Sequence, residues 1–287
     1  MAHNSLEVVV LRDNVAAREE LLAGHGLALL VRSSAGTVAL DTGDNDEAWD
    51  NADAMGIDLA EITCIVLSHG HYDHTGGLQG ILQRLGGAMV TAHPGIFEPR
   101  FADRDGGQRV DIGLPAGREE FEALGAFFQL SADPTTVAPG LITTGEVPRV
   151  SDLVPHSPHL LVERDGQIQC DDFVDDMSLI VRLSSGDVLL TGCAHAGLIN
   201  IVERATELAG RCPTAVAGGT HLARESEDDI AQVATELDAR GVRQIVPMHC
   251  SGERGAELLE KHFAGETLRA GVGNTIVADE TGTISVH

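Results

Sequence analysis

The chain has 287 residues, 43% of them hydrophobic and 22% charged, which excludes a disordered polymer and suits a folded globular unit. Aspartate and glutamate number 44 against 19 lysine and arginine, giving a net charge of −25, with Lys261 the only lysine. Phosphate backbones and anionic lipid surfaces repel such a chain, so neither nucleic acid nor membrane is an expected partner.

Short apolar runs alternate with helical patterns along most of the sequence. Leu6–Leu11, Leu27–Arg32 and Thr37–Leu40 are expected strands, the last two joined at Ser33-Ser34-Ala35-Gly36. A short helix over Glu47–Met55 precedes a fully apolar strand, Ile62–Leu67. A helix over Thr75–Leu85 follows, ended by Gly86-Gly87, and then a strand, Ala88–Ala92. The region from about Pro94 to Phe173 breaks this rhythm. It holds most of the prolines and the phenylalanines Phe97, Phe101, Phe121, Phe127 and Phe128, and is expected to be an insertion covering a site within a single 1–287 domain.

The pattern then resumes with strands Leu179–Leu183 and Val188–Leu190. A helix carries Leu198, Ile201, Val202, Ala205 and Leu208 at 3.6-residue spacing, followed by strand Thr214–Ala217. A second amphipathic helix presents Ile230, Val233, Ala234 and Leu237, with Ser226 as N-cap and Gly241 past its end. Gln244–Pro247, Glu253–Phe263 and Leu268–Ala278 close the chain as strand, helix and one or two strands. Such β–α alternation in both halves predicts a layered α/β fold. No apolar run approaches a membrane span, the first residues lack a basic n-region, and the five cysteines form no C-x-x-C pair. A reducing cytoplasm is therefore the expected compartment.

One segment carries most of the chemistry: Ser68-His69-Gly70-His71-Tyr72-Asp73-His74-Thr75-Gly76-Gly77. Three imidazoles and a carboxylate fall between a buried strand and a helix, where side chains converge without disturbing a ladder, and they form a ligand set for a divalent transition metal. Further histidines follow three later strands, as Cys193-Ala194-His195, Thr220-His221 and His249-Cys250. His195 and His249 are expected ligands, and His221 either a ligand or a substrate contact.

The spacing His69-x-His71-x-Asp73-His74, with Asp41 in Leu40-Asp41-Thr42-Gly43 upstream, resembles the signature of the metallo-β-lactamase superfamily. The resemblance implies a four-layer αββα sandwich with one or two divalent metals, zinc first, with iron, manganese or magnesium as alternatives. It places His69 and His71 on the first metal and Asp73 and His74 on the second. Asp73 and Asp41 would be catalytic, Asp41 by orienting ligands or touching the second metal. Two positions depart from the usual pattern. Asp175-Asp176-Met177-Ser178 stands where a histidine turn is common, and Gly192-Cys193 replaces a Gly-Asp pair. Asp175, Asp176 and Cys193 are thus candidate replacements for a bridging carboxylate.

Further segments, from Thr143-Thr144-Gly145-Glu146-Val147-Pro148-Arg149 and Asp171–Leu179 to Thr191–Asn200, Gly218–Leu222 and His249–Gly252, resemble the branch containing 7,8-dihydropterin-6-methyl-4-(β-D-ribofuranosyl)aminobenzene-5′-phosphate synthase. That branch implies a small phosphorylated substrate, a pterin among the choices, and either pyrophosphate release or hydrolysis. Arg149 and His221 would bind the substrate, helped by helix N-termini after His74 and after His195. The alternatives are a metal-dependent phosphodiesterase, lactonase or glyoxalase, and a non-catalytic pterin- or nucleotide-binding module.

Overall fold

The computed structural model describes His3 and residues 5–104 and 106–287. Strands of the first half, joined by the last two of the chain, form an eight-stranded sheet in the order Ile284–Val286, Thr275–Ala278, Leu6–Arg12, Ala28–Ser33, Gly36–Leu40, Ile62–Val66, Ala88–Ala92 and Ala126–Leu130. A seven-stranded sheet runs Glu266–Thr267, Gln244–Met248, Ala215–Gly219, Asp187–Thr191, Ser178–Arg182, Leu141–Thr143 and Thr136–Ala138.

Alternation along these strands explains the layers, since neighbouring residues face opposite sides of a sheet. Val8, Val10, Leu29, Val31, Val38 and Leu40 of the first sheet meet Leu179, Val181, Val188, Leu190 and Ala217 of the second. Their neighbours Val9, Leu11, Leu30, Ala39 and Ile65 turn outward against Trp49, Leu78, Ile81 and Leu82 of two helices, Glu47–Ala54 and Leu78–Leu85. Ile180, Leu189, Val216 and Ile245 likewise turn outward against helices Leu198–Ala209 and Glu227–Arg240. The result is helix, sheet, sheet, helix, as the resemblance implied.

The central strands of both sheets are parallel: Gly36–Leu40 with Ile62–Val66, and Asp187–Thr191 with Ala215–Gly219 and Gln244–Met248. Parallel register brings the loops after Leu40, Val66, Thr191, Gly219 and Met248 to one edge of the sandwich. All the histidine motifs lie in those loops.

The segment between Pro94 and Phe173 is divided among three places. Ala126–Leu130 extends the first sheet, Thr136–Ala138 and Leu141–Thr143 extend the second, and four strands form a small sheet of their own. This small sheet runs Gln167–Cys170, Leu160–Arg164, Arg100–Arg104 and Gln108–Asp111. The phenylalanines are divided too: Phe121 is buried with Phe97 and Phe128 against the first helical layer, and Phe127 is 68% exposed. The helix expected over Thr75–Leu85 starts only at Leu78, and Gly76-Gly77 separate it from a single turn, Tyr72–Thr75. A Cβ at Gly76 would lie 2.1 Å from the Asp44 carbonyl oxygen, and one at Gly77 2.2 Å from that of Thr42. Only glycine lets the Asp41–Asn45 loop lie so close to the histidine loop.

Candidate metal centre

Five residues that are not glycine take up a left-handed backbone around this sheet edge: Asp41 (φ 61°), Phe173 (φ 50°), Ala194 (φ 62°), His221 (φ 54°) and His249 (φ 49°). Such conformations cost energy and persist only where surrounding contacts enforce them. All five belong to, adjoin or touch a residue of the histidine cluster.

Asp41 is fully buried, and both its oxygens are engaged. The Ser68 backbone N–H donates to Oδ1 at 2.7 Å, and the Ser68 hydroxyl and His74 Nδ1 each donate to Oδ2 at 2.7 Å. With its hydrogen committed to Asp41, Ser68 Oγ accepts from His69 Nδ1 at 3.0 Å. His249 is fixed in the same way, its Nδ1 donating to Asn14 Oδ1 at 2.9 Å while its backbone N–H reaches Asp13 Oδ1 at 2.7 Å. In His69, His74 and His249 the outer nitrogen therefore holds the proton and Nε2 faces inward, the arrangement by which outer partners orient metal-binding imidazoles.

The inward atoms converge. His69 Nε2 lies 3.0 Å from His71 Nδ1, and His74 Nε2 lies 3.1 Å from both Cys193 Sγ and His249 Nε2. His71 Nε2 and both ring nitrogens of His195 are buried without a protein partner. Burial holds His69 and His195 well below the usual imidazole range and brings His71 down to about 3, so these rings are neutral and their lone pairs are free. His74 differs: burial opposes its charge, but Asp41 and Asp73 prevail and push it up to about 9. Orphaned neutral imidazoles in a common cavity fit a bound cation better than an empty polar pocket.

Three donor groups result, the first two sharing His69: His69, His71 and His195; His69, His74 and Cys193; and His25, Asp73 and His249. A fourth, Cys193, His221 and Cys250, lies beside them. The structure thus brings together His69, His71, Asp73, His74, His195, His249, Cys193 and His221. Asp41 stands behind His74 and outside every donor group among the described residues.

Other expected residues are placed elsewhere. Asp175 accepts the Gly70 N–H at 2.8 Å and pairs with Arg100 at 2.7 Å, while Asp176 accepts the Ala196 N–H at 2.7 Å. Neither carboxylate joins a donor group among the described residues; each clamps a loop, one between His69 and His71, the other just past His195. Burial pushes Asp175 up to about 6 and Asp176 to about 7. Arg149 is consumed by carbonyls, donating to Val147, Asp172 and Phe173 at 2.6, 2.9 and 3.1 Å, and does not line the cavity. It anchors the turn whose Phe173 ring stacks on His195 at 4.0 Å. The expected helix N-terminus after His74 contributes less than its position suggests. Tyr72–Thr75 is a single turn, and the Gly76 and Gly77 N–H groups are taken by the Gly43 carbonyl.

The cluster floors a cavity of about 580 Å³. Its lining includes residues that no motif announced: His25, whose Nε2 is 3.2 Å from Asp73, and Arg104, His156, His159 and Arg224. His25 belongs to an irregular loop with no strand before it, so the pattern that exposed the other histidines is missing there.

The family model of the metallo-β-lactamase superfamily matches residues 21–165. Among curated proteins, 7,8-dihydropterin-6-methyl-4-(β-D-ribofuranosyl)-aminobenzene-5′-phosphate synthase of Methanocaldococcus jannaschii is 28% identical over 262 residues, covering 88% of this chain and 89% of that protein. An uncharacterized protein of the same archaeon is 29% identical over 249 residues, covering 85% and 90% of the two chains. The crystal structure of a metal-dependent hydrolase of the β-lactamase superfamily superposes with a TM-score of 0.82 at 29% identity, covering 94% of this chain and 98% of the other. Signature, four-layer fold and family match agree: the chain belongs to the metallo-β-lactamase superfamily.

Proposed function

We propose that the chain is a metal-dependent enzyme acting on phosphate or pyrophosphate esters of a small molecule. The observation that carries this reading is the floor of the cavity, where imidazoles with unpartnered nitrogens meet a thiol and a carboxylate. His69, His71 and His195 would hold one metal, and His74, Cys193, Asp73 and His249 a second. A thiolate among the donors favours zinc or iron over magnesium. Such a metal supplies Lewis-acid polarisation of a phosphoryl oxygen and charge neutralisation for a departing phosphate or pyrophosphate.

The chain's own residues set up that chemistry. Asp41 holds the Nδ1 proton of His74 and, through Ser68, that of His69, so both rings present Nε2 to the cavity. Asp175 and Asp176 fix the backbones of the two ligand loops. His25 holds Asp73 by its Oδ2 at 3.2 Å, and the inward His249 Nε2 lies 3.3 Å from the same oxygen. The segment 94–173 supplies one wall through Ala102, Ile112, His159 and Leu160, so the substrate would lie between the small sheet and the sandwich. Two relatives support two outcomes at one site: the similar synthase favours joining two substrates, and the similar hydrolase favours water as the acceptor.

The test is turnover of phosphodiester and pyrophosphate esters by metal-loaded protein, with inorganic pyrophosphate as inhibitor. Competitive inhibition, and a loss of about a hundredfold or more in Asp73→Ala, are expected. Robust lactone or thioester turnover that millimolar-range pyrophosphate leaves untouched would overturn the assignment.

A further inference from the structure

We infer that the cavity wall away from the histidine floor is a second anion site, formed by Arg104 and Arg224, and that the substrate carries a second phosphate there. This rests on the reading that the floor handles a phosphate ester.

Nearly every base in this acidic chain is already committed. Only Arg18, Arg104, Arg149, Arg224, Arg243 and Arg254 lack a carboxylate partner among the described residues. Arg149 and Arg254 are spent on backbone carbonyls. Of the other four, Arg104 and Arg224 line the cavity. They come from unrelated parts of the chain: Arg104 ends a strand of the small sheet, and Arg224 follows His221 in the loop after Ala215–Gly219.

Both act on one spot. His159, on the same wall, is held below the usual imidazole range by burial first and then by Arg224, His221, Arg104 and His156. Of the two carboxylates on this wall, one is neutralised in an ion pair, while the other is held only by a backbone N–H and offsets one of the two charges, so the wall stays positive. Asp103 is paired with Arg109 at 2.7 Å, and Glu225 accepts the His156 backbone N–H at 3.0 Å. Two guanidiniums with no ion-pair partner among the described residues face the cavity, in a molecule whose overall field repels anions. A guanidinium's fork of donors matches phosphate oxygens, and a cavity of about 580 Å³ has room for a ligand reaching from floor to wall.

The probes are linear diols of increasing length, each as its monophosphate and its bisphosphate, titrated by calorimetry into metal-loaded protein. At the best length the bisphosphate should bind at least about tenfold more tightly than its monophosphate, as expected when a second contact becomes intramolecular. The double variant Arg104→Gln/Arg224→Gln should lose that margin and keep the monophosphate affinity within about twofold, and the double Arg→Lys variant should keep part of it. Unchanged melting temperatures would show that both variants fold. Equal affinities at every length, or a margin that survives the double glutamine variant, would overturn the second site. If instead monophosphates bind no better with metal than without, yet bisphosphate binding still needs the two arginines, the floor reading fails and the wall site stands.

Discussion

Asp41 shows how a single residue governs the cluster without belonging to it. Its carboxylate anchors His74 directly and His69 through Ser68, and its left-handed backbone turns it back beneath the histidine loop. This makes the metal-free protein sensitive to pH in a definite direction. His74 is raised to about 9 in the fold, against an ordinary imidazole value near 6.5, so folding favours its protonated form. That stabilisation is complete below about pH 6.5 and fades as pH rises through about 9, by on the order of 3 kcal/mol at most. Urea titrations of chelator-treated protein across this range should show the decline, and Asp41→Asn should flatten it. Metal-loaded protein should not show it, because a bound cation requires the neutral ring.

Arg100 makes the second prediction at this scale. It is fully buried between Asp171 at 2.9 Å and Asp175 at 2.7 Å. Arg100→Met would strand two buried carboxylates and should cost about 3–5 kcal/mol in urea denaturation. A loss below about 1 kcal/mol would mean that water or protonation relieves the site. These residues also mark the limits of sequence reading. His69, His71, Asp73 and His74 were legible because their spacing alone is diagnostic, and His195 and His249 because each follows a strand. Asp175, Asp176 and Arg149 were legible as chemistry but not as role, since their partners are backbone groups and a buried arginine far away in the chain. Arg104, Arg224 and His25 left no local trace at all.

At the scale of elements, the histidine loop depends on the loop that lies against it. Helical periodicity ran on through Gly76-Gly77, so a helix was expected from Thr75, whereas a break there leaves one turn ending at Thr75 and a helix starting at Leu78. The break arises from tertiary contact with Asp44 and Thr42, which no local pattern encodes. Gly77→Ala would drive a methyl into the Thr42 carbonyl, 2.2 Å from the ideal Cβ position. Because the clash is with backbone, it should cost about 2–3 kcal/mol and weaken metal affinity as well, since Asp41 shares that loop. Thermal melts and metal titration would check both effects; a variant as stable as the parent would show that the two loops part easily. The segment between Pro94 and Phe173 was equally hard to read. Its prolines and phenylalanines marked it as irregular, yet its strands were dispersed to both large sheets and its aromatic rings to the helical layer.

For the whole molecule, alternation and parallel register do most of the explaining. Two sheets with apolar faces on both sides need a helical layer outside each, and the motif loops then gather at one edge. That architecture follows from the sequence pattern joined to the family signature, because periodicity gives layers while the signature gives their order. Net charge of −25 adds a constraint of its own: on the proposed reading an anionic substrate would approach only where cations are concentrated, at a metal-loaded floor and the arginine wall. Raising ionic strength should therefore change KM for a phosphorylated substrate less steeply in the Arg104→Gln/Arg224→Gln variant than in the parent, measured as KM against salt. Among the described residues no helix is long and apolar enough to cross a membrane.

The central claim is that the histidine cluster is a metal centre, and anomalous scattering from crystals grown without chelator tests it most directly. About one to two transition-metal ions per chain are expected, one bounded by His69, His71 and His195 and a second by His74, Cys193, Asp73 and His249. Crystals with no anomalous peak at either position, from protein never exposed to chelator, would contradict it, as would metal held only by Cys193, His221 and Cys250.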